Sequence, residues 1–187
     1  MRKIILTEYL TLDGVMEEPT WTMPYWNDEI AKYKFDELFS SDALLLGRVT
    51  YQGFAAAWPS QKDEQGFANR MNNLPKYVVS TTLEFFSWNN SQPIQKNLLE
   101  TLDQLKQQTG KNILIYGSAT LANFLMEQDR IDEYRLLVYP LVLGKGKRLF
   151  QNERQKLLKL IHSTAFGTGV TALTYIPAGH TPASLEQ

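Results

Sequence analysis

The sequence predicts an α/β domain with a mostly parallel central sheet flanked by helices and a C-terminal antiparallel hairpin. Three observations carry that expectation. Short continuous apolar runs, among them Ile4-Ile5-Leu6, Ala43-Leu44-Leu45-Leu46 and Ile113-Leu114-Ile115, have the length and composition of strands, and the second reads as a buried one. Segments with apolar residues at helical spacing lie between them. Beyond Met126 the rhythm changes to strand after strand with little helix between, as an antiparallel end requires.

Taken in order, the first strand runs from Ile4 through Tyr9-Leu10 and stops at the turn pair Asp13-Gly14. A loop rich in Trp and Pro follows, from Pro19 to Trp26. Ile30, Tyr33, Lys34, Glu37 and Leu38 then predict a helix over 28–40, which Asn27 or Asp28 can cap. The run at 43–46 is short enough to read as strand or helix, and Gly47 favours strand. Val49 to Ala57 reads as a helix stopped by Pro59, and 60–73 as part helix, part loop. Lys76 to Ser80 forms the next strand, with a short further strand around Glu84–Trp88 and a polar loop to residue 95. Leu98, Leu102 and Leu105 mark a helix over 98–108 that ends before Gly110. Asn112 to Tyr116 is a strand, and Gly117-Ser118-Ala119-Thr120 opens a helix through Met126. Glu133–Leu143, Lys156–Phe166 and Val170–Ile176 complete the set, with Phe166-Gly167-Thr168-Gly169 as the turn of the hairpin. Residues 1–177 make one domain, and 178–187 a flexible polar tail.

Composition narrows the chemistry. At 187 residues, folding buries roughly 70% of the surface of the unfolded chain, so no metal or disulfide staple is needed. There is no cysteine, which removes disulfides, thiolate zinc sites and cysteine nucleophiles together. The net charge of −1 is spread without a basic stripe, so a nucleic-acid partner is not expected. Met1-Arg2-Lys3 leads into too few apolar residues for a signal peptide, and no run is long enough to span a bilayer. The expected setting is cytoplasmic.

Three strands end in small or hydroxyl residues just before a helix or loop: Gly47-Arg48-Val49-Thr50, Ser80-Thr81-Thr82 and Gly117-Ser118-Ala119-Thr120. In an open parallel sheet, ligands collect at the carboxyl ends of the strands, where a helix N-terminus favours an anion. Each cluster alone reads equally as ordinary turn and cap chemistry. Three clusters at three strand ends point to a dinucleotide. Neither a Walker A nor a G-x-G-x-x-G pattern is present.

The motifs carry a resemblance. Leu46-Gly47-Arg48-Val49-Thr50-Tyr51 resembles the G-R-x-T segment of dihydrofolate reductases, and Thr11-Leu12-Asp13-Gly14 is similar to the S-L-D-G signature of the riboflavin branch of that superfamily. Asp132-Glu133-Tyr134, followed by Pro140-Leu141-Val142-Leu143-Gly144-Lys145-Gly146, resembles the same branch's later segment. That branch is the C-terminal reductase domain of the bifunctional riboflavin-biosynthesis deaminase–reductase, and the likeness runs from about residue 2 to 176. It implies a dihydrofolate reductase-like fold and an NADPH-dependent reductase of a small pterin-like, pyrimidine-like or related ring. Gly47, Arg48 and Thr50 would contact the pyrophosphate, and Ser80, Thr81 and Thr82 the adenosine 2′-phosphate side. Gly117, Ser118, Ala119, Thr120 and Leu121 would line the central and nicotinamide portion.

On the substrate side the match weakens. Asp13 is the first catalytic candidate, since its loop would overhang the nicotinamide; a turn-forming Asp-Gly explains it equally. Asp28 or Glu29 stands where dihydrofolate reductases keep a carboxylate, or is a solvated helix-start acid. Trp21, Tyr25 and Trp26 form either an aromatic wall for a flat substrate or a lid on the core. Glu8 and Tyr9 stand in the region where the riboflavin enzymes carry a first-strand lysine, and without cysteine no deaminase zinc site can be built. Lys145, Lys147 and Arg148 are a solvated loop or a phosphate site, and His162 and His180 are structural or solvated. A non-catalytic nucleotide-binding module with the same fold is the other reading, and a flavin or mononucleotide domain a third. A homodimer is the expected assembly, its surface drawn from Leu136-Leu137-Val138 and Leu141-Val142-Leu143 unless those strands are interior.

Overall fold

The apolar runs become strands because alternate residues of each feed opposite sides of one sheet. In the computed structural model, which describes residues 1–151 and 155–178, Ile4, Leu6 and Leu10 of the first strand enter one core and Ile5 the other. Ala43 and Leu45 likewise part from Leu44 and Leu46, and Ile113 and Ile115 from Leu114. A strand buried on both faces has no polar side, which is why these segments read as continuous rather than alternating.

The strands are β1 (Ile4–Thr11), β2 (Ser41–Gly47), β3 (Lys76–Val79), β4 (Ser91–Ile94), β5 (Asn112–Tyr116), β6 (Glu133–Tyr139), β7 (Leu158–Ala165) and β8 (Thr171–Pro177). They form one eight-stranded sheet in the order β4-β3-β2-β5-β1-β6-β8-β7. Every pairing from β4 to β6 is parallel, and β8 is antiparallel to both β6 and β7. The expected parallel sheet with an antiparallel hairpin at its end is the observed fold. The helices are α1 (Asp28–Phe39), α2 (Arg48–Ala57), α3 (Phe67–Asn73), α4 (Leu98–Gln107) and α5 (Ala119–Glu127). Leu38 of α1, Tyr51 of α2 and Met71 of α3 pack on one face of the sheet, while Leu102 and Leu105 of α4 and Leu121, Ala122 and Leu125 of α5 pack on the other. Asn27 caps α1, its side-chain oxygen accepting the Ile30 N–H at 3.0 Å.

Two expectations are corrected. Residues 84–88 are not a strand; the segment is held as a loop by Trp88, which is 3% exposed. Its backbone N–H donates to the Tyr51 hydroxyl at 3.0 Å and its indole N–H to Asn72 Oδ1 at 2.7 Å. The edge strand is instead the polar β4, in the stretch read as loop. Its Pro93, which has no N–H to donate, sits where an edge strand tolerates it. Leu136 and Leu137 lie inside the sheet between β1 and β8, so they form no surface for a second copy. Val142 and Leu143 follow the end of β6 and are exposed. His180 and most of the predicted tail lie outside the described residues. Among the described residues, no helix is long and apolar enough to cross a membrane.

Lys76, fully buried in β3, anchors this half of the sheet. Its ammonium donates to the carbonyls of Asn72 and Leu74 at 2.7 Å and of Asn89 at 3.0 Å, and lies 4.2 Å from the centre of the Trp88 ring. Burial lowers its pKa to about 8, so it stays charged at neutral pH. Lys76→Met keeps the stem and strands three carbonyls; it should destabilise the fold by about 1–3 kcal/mol in urea denaturation.

Candidate functional site

The parallel strands all deliver their carboxyl ends to one edge. There β2 stops at Gly47 and α2 starts at Arg48, while β5 stops at Tyr116 and α5 starts at Ala119. Since β2 and β5 are paired, the two helix N-termini stand side by side. Gly117 and Ser118 make the second junction with consecutive left-handed residues, φ +58° and +62°. Ser118 Oγ accepts the Gly47 N–H at 2.9 Å and donates to Thr50 Oγ1 at 2.9 Å, so one hydroxyl joins both junctions. A Cβ on Gly117 would approach Thr50 Oγ1 to 3.1 Å, and one on Gly47 would approach Ser118 Oγ to 3.3 Å. Neither helix has a side-chain cap, which leaves first-turn N–H groups free to meet an anion.

These junctions form one wall of a cleft of about 890 Å³. Of the residues expected at a cofactor, Gly47, Arg48, Thr50, Gly117, Ser118, Ala119, Thr120 and Leu121 all line it. Ser80, Thr81 and Thr82 do not. Ser80 Oγ is turned into its own bend, accepting the N–H groups of Thr82 at 3.2 Å and Leu83 at 3.0 Å, while Thr81 and Thr82 are exposed. Val79 and Leu98 form the wall there instead. Lys147 of the basic group also lines the cleft, with its ammonium 3.3 Å from Thr120 Oγ1.

The substrate-side candidates are dispersed. Asp13 accepts the Thr11 hydroxyl at 2.6 Å and the N–H groups of Gly144 at 2.9 Å and Leu143 at 3.2 Å. Arg148 closes the contact, its Nε donating to the Asp13 carbonyl at 2.8 Å. The Thr11 hydroxyl first, and the loop N–H groups after it, hold the Asp13 carboxyl at about 2. Asp28 is exposed at the start of α1, and Glu29 Oε2 accepts the Gly167 N–H at 2.8 Å. Trp21 sits edge-on to Tyr139 at 5.3 Å and donates its indole N–H to the Glu17 carbonyl at 3.1 Å. Trp26 is 44% exposed. None of these five lines the cleft. His162 is exposed, 3.0 Å from Thr164 Oγ1.

The structure places other groups in the cleft. Thr7, Glu8 and Tyr9 of β1 and Lys34 of α1 line it, at the end of the sheet where β5 has already stopped. Lys34 donates to Thr7 Oγ1 at 2.9 Å and is ion-paired with Glu37, both side chains buried. Thr7 Oγ1 and the Tyr116 hydroxyl donate to Glu37 Oε2 at 3.1 and 3.3 Å. The Lys34 ammonium lies 4.7 Å and 5.3 Å from the ring centres of Tyr116 and Tyr9. Burial pulls the Lys34 pKa down, against the opposing pull of Glu37. Burial pushes Glu8 well above the usual carboxylate range, with Lys34 opposing and Glu37 adding to the rise. The sequence signal for Glu8 is a carboxylate inside a β-branched apolar run; for Lys34 and Glu37 it is their place at helical spacing with Ile30 and Leu38, the buried stripe of α1.

Gly117→Ala should cost about 1–2 kcal/mol, since the left-handed region penalises a side chain and Thr50 must give way; urea denaturation reads it. The folded pKa of Asp13, about 2, lies below its ordinary value of 3.8. Its stabilisation is therefore complete above that ordinary value and is lost as the pH falls through about 2. Asp13→Asn should lower the unfolding temperature at neutral pH, and the difference from the parent protein should vanish on acidification.

The family model described as the RibD C-terminal domain matches residues 2–172. The uncharacterized protein YyaP of Bacillus subtilis (strain 168) is 32% identical over 178 residues, covering 93% of this chain and 94% of its own. A pyrimidine reductase-like protein from Corynebacterium diphtheriae superposes with a TM-score of 0.69 at 14% identity, covering 94% of this chain and 92% of that one. A dihydrofolate reductase from Enterococcus faecalis, solved with NADP(H) and RAB-propyl, superposes with a TM-score of 0.63 at 13% identity, covering 94% and 96%. The fold is thus of reductase type, and the chain belongs to the family of RibD C-terminal domains.

Proposed function

We propose that this chain is an NADPH-dependent reductase of a small cyclic or heteroaromatic molecule. The observation that carries the reading is the pair of uncapped helix N-termini, tied through Ser118, on the wall of a cleft of about 890 Å³. That arrangement fits a dinucleotide. Two close-packed junctions let backbone N–H groups reach a pyrophosphate. Arg48 and Lys147 add cations on the same cleft, and Val79, Leu98, Phe54 and Phe124 supply apolar walls for rings. Gly47, Arg48 and Thr50 would hold the pyrophosphate, with Gly117 to Leu121 beside the nicotinamide half. The exposed hydroxyls of Thr81 and Thr82, beyond the cleft wall, are the groups we assign to the adenosine 2′-phosphate. When bound, the reduced nicotinamide supplies a hydride; the protein supplies position and a water-poor floor.

We assign the enzyme to the cytoplasm, a reading that the cysteine-free sequence supports. We infer a homodimer, whose surface after the loss of Leu136 and Leu137 rests on the exposed Val142 and Leu143; a monomer mass in solution removes it. Asp13 enters as the residue that braces the rim, not as a proton donor, because its carboxyl is held ionised.

Titration with NADPH and NADH, read by quenching of tryptophan fluorescence, tests the reading. NADPH should bind more tightly, and Arg48→Ala should weaken it by about tenfold, the scale of one lost charge-assisted hydrogen bond. Binding of neither nucleotide would sink the proposal. Binding without turnover across a substrate panel would favour a nucleotide-binding module.

A further inference from the structure

α5 borders two cavities. Thr120, Leu121 and Phe124 line the cleft, whereas Asn123, Met126 and Glu127 line a second cavity of about 700 Å³. That cavity lies at the opposite end of the sheet, where β6 and β7 begin and β8 ends. Tyr134 of β6 forms its sheet side, and Phe150, Leu157, Leu158 and Pro177 make much of the remaining wall apolar. Phe150 and Leu157 are 51% and 67% exposed, so apolar surface gathers here in the open rather than in a core.

Two polar side chains of this wall are already engaged. Asn123 donates from Nδ2 to the carbonyls of Ala119 at 2.8 Å and Leu149 at 2.7 Å. The Lys156 ammonium donates to the Met126 carbonyl at 2.7 Å and to Asp129 at 2.6 Å. Tyr134 differs. It is fully buried, and among the described residues its hydroxyl has no hydrogen-bond partner. A buried O–H without an acceptor is costly, and the cost is recovered when a ligand brings one.

We propose that this cavity is a second ligand site, for a neutral apolar ring compound that carries a carbonyl or hydroxyl oxygen. The oxygen accepts the Tyr134 hydroxyl, and the ring lies among Met126, Leu158 and Pro177. A volume of about 700 Å³ is in the range of small-molecule sites. Charge is disfavoured at the Tyr134 end. The hydroxyl stays neutral, since burial raises its pKa and the Asp129 and Asp132 carboxylates add to the rise. Those carboxylates oppose an anion, and a buried ammonium would exchange its hydration for one neutral hydroxyl. Met126 is the adaptable part of the wall, an unbranched thioether that repacks to admit the ring and uncover the hydroxyl. The site is independent of the cofactor reading and stands or falls without it.

Methionine methyl NMR tells the two cavities apart, because Met126 lines this one and Met16 lines the cleft. Acetophenone is the probe, and isopropylbenzene is its control, close in shape but without the acceptor. Acetophenone should shift the Met126 methyl signal and leave Met16 in place. Tyr134→Phe should weaken acetophenone by about tenfold, the scale of one hydrogen bond to a buried group, and move isopropylbenzene by no more than about twofold. The variant should unfold at or above the temperature of the parent, since the hydroxyl it loses has no partner. A fall beyond about 4 °C means that a partner exists, and overturns the proposal. No shift at Met126, or a shift at Met16 alone, overturns the site. Equal weakening of both probes overturns the role of the hydroxyl. A Met126 shift that follows protein concentration with no probe present gives the cavity to a second copy of the chain and overturns the small-molecule occupant.

Discussion

The Ser118 hydroxyl is the interaction on which the working edge of this protein depends. It is placed by two consecutive left-handed residues, and it accepts from the backbone of one strand–helix junction while donating into the first turn of the same helix. Two junctions from strands that are neighbours in space, but 70 residues apart in sequence, thereby become one surface. A parallel sheet brings helix N-termini to a common edge by topology alone. What topology does not provide is their spacing, and here that spacing is set by one oxygen and by two glycines where a Cβ would press on Thr50 and Ser118.

Beneath that edge the energetics are of the opposite kind. Lys34 and Glu37 are buried at 4% and 2% side-chain exposure, and a buried ion pair is weak evidence for stability, since apolar replacements of similar volume often fold as well or better. Thr7 and the Tyr116 hydroxyl complete the hydrogen bonding of one Glu37 oxygen, while the other, Oε1, has no partner among the described residues. An incompletely satisfied polar cluster beside a cleft is better understood as a cost borne for chemistry than as part of the core.

How much of this could be read beforehand depended on range. β1, β2 and β5 were legible because burial on both faces writes itself as an unbroken apolar run. The two junctions were legible because glycine and hydroxyl residues after such a run have few other uses. The segment Phe85-Phe86-Ser87-Trp88 misled for a definite reason: its aromatic residues are held by Tyr51 and Asn72, partners on α2 and α3, rather than by a sheet. β4 was invisible because an edge strand of Ser, Gln, Pro and Ile needs no hydrophobic pattern. At the site, Asp13 stood out in a motif, yet its bonds go to a loop 130 residues away. Lys34 stands on the stripe of Ile30 and Leu38 in the sequence, but its partner Thr7 on β1 is set only by the fold.

The two ends of the sheet are unlike, and that has a consequence for association. At one end β4 is four residues long and carries Pro93, so its outer row of donors is incomplete. At the other, β7 is eight residues long and, among the described residues, no strand lies beside its outer edge. The long β7 edge is therefore the better suited of the two to accept a further strand. A contact that uses the same edge on both copies is self-complementary and closes after two, whereas a fibre would need an accepting edge at each end. The proline in β4 thus blunts that edge and disfavours growth by sheet extension there.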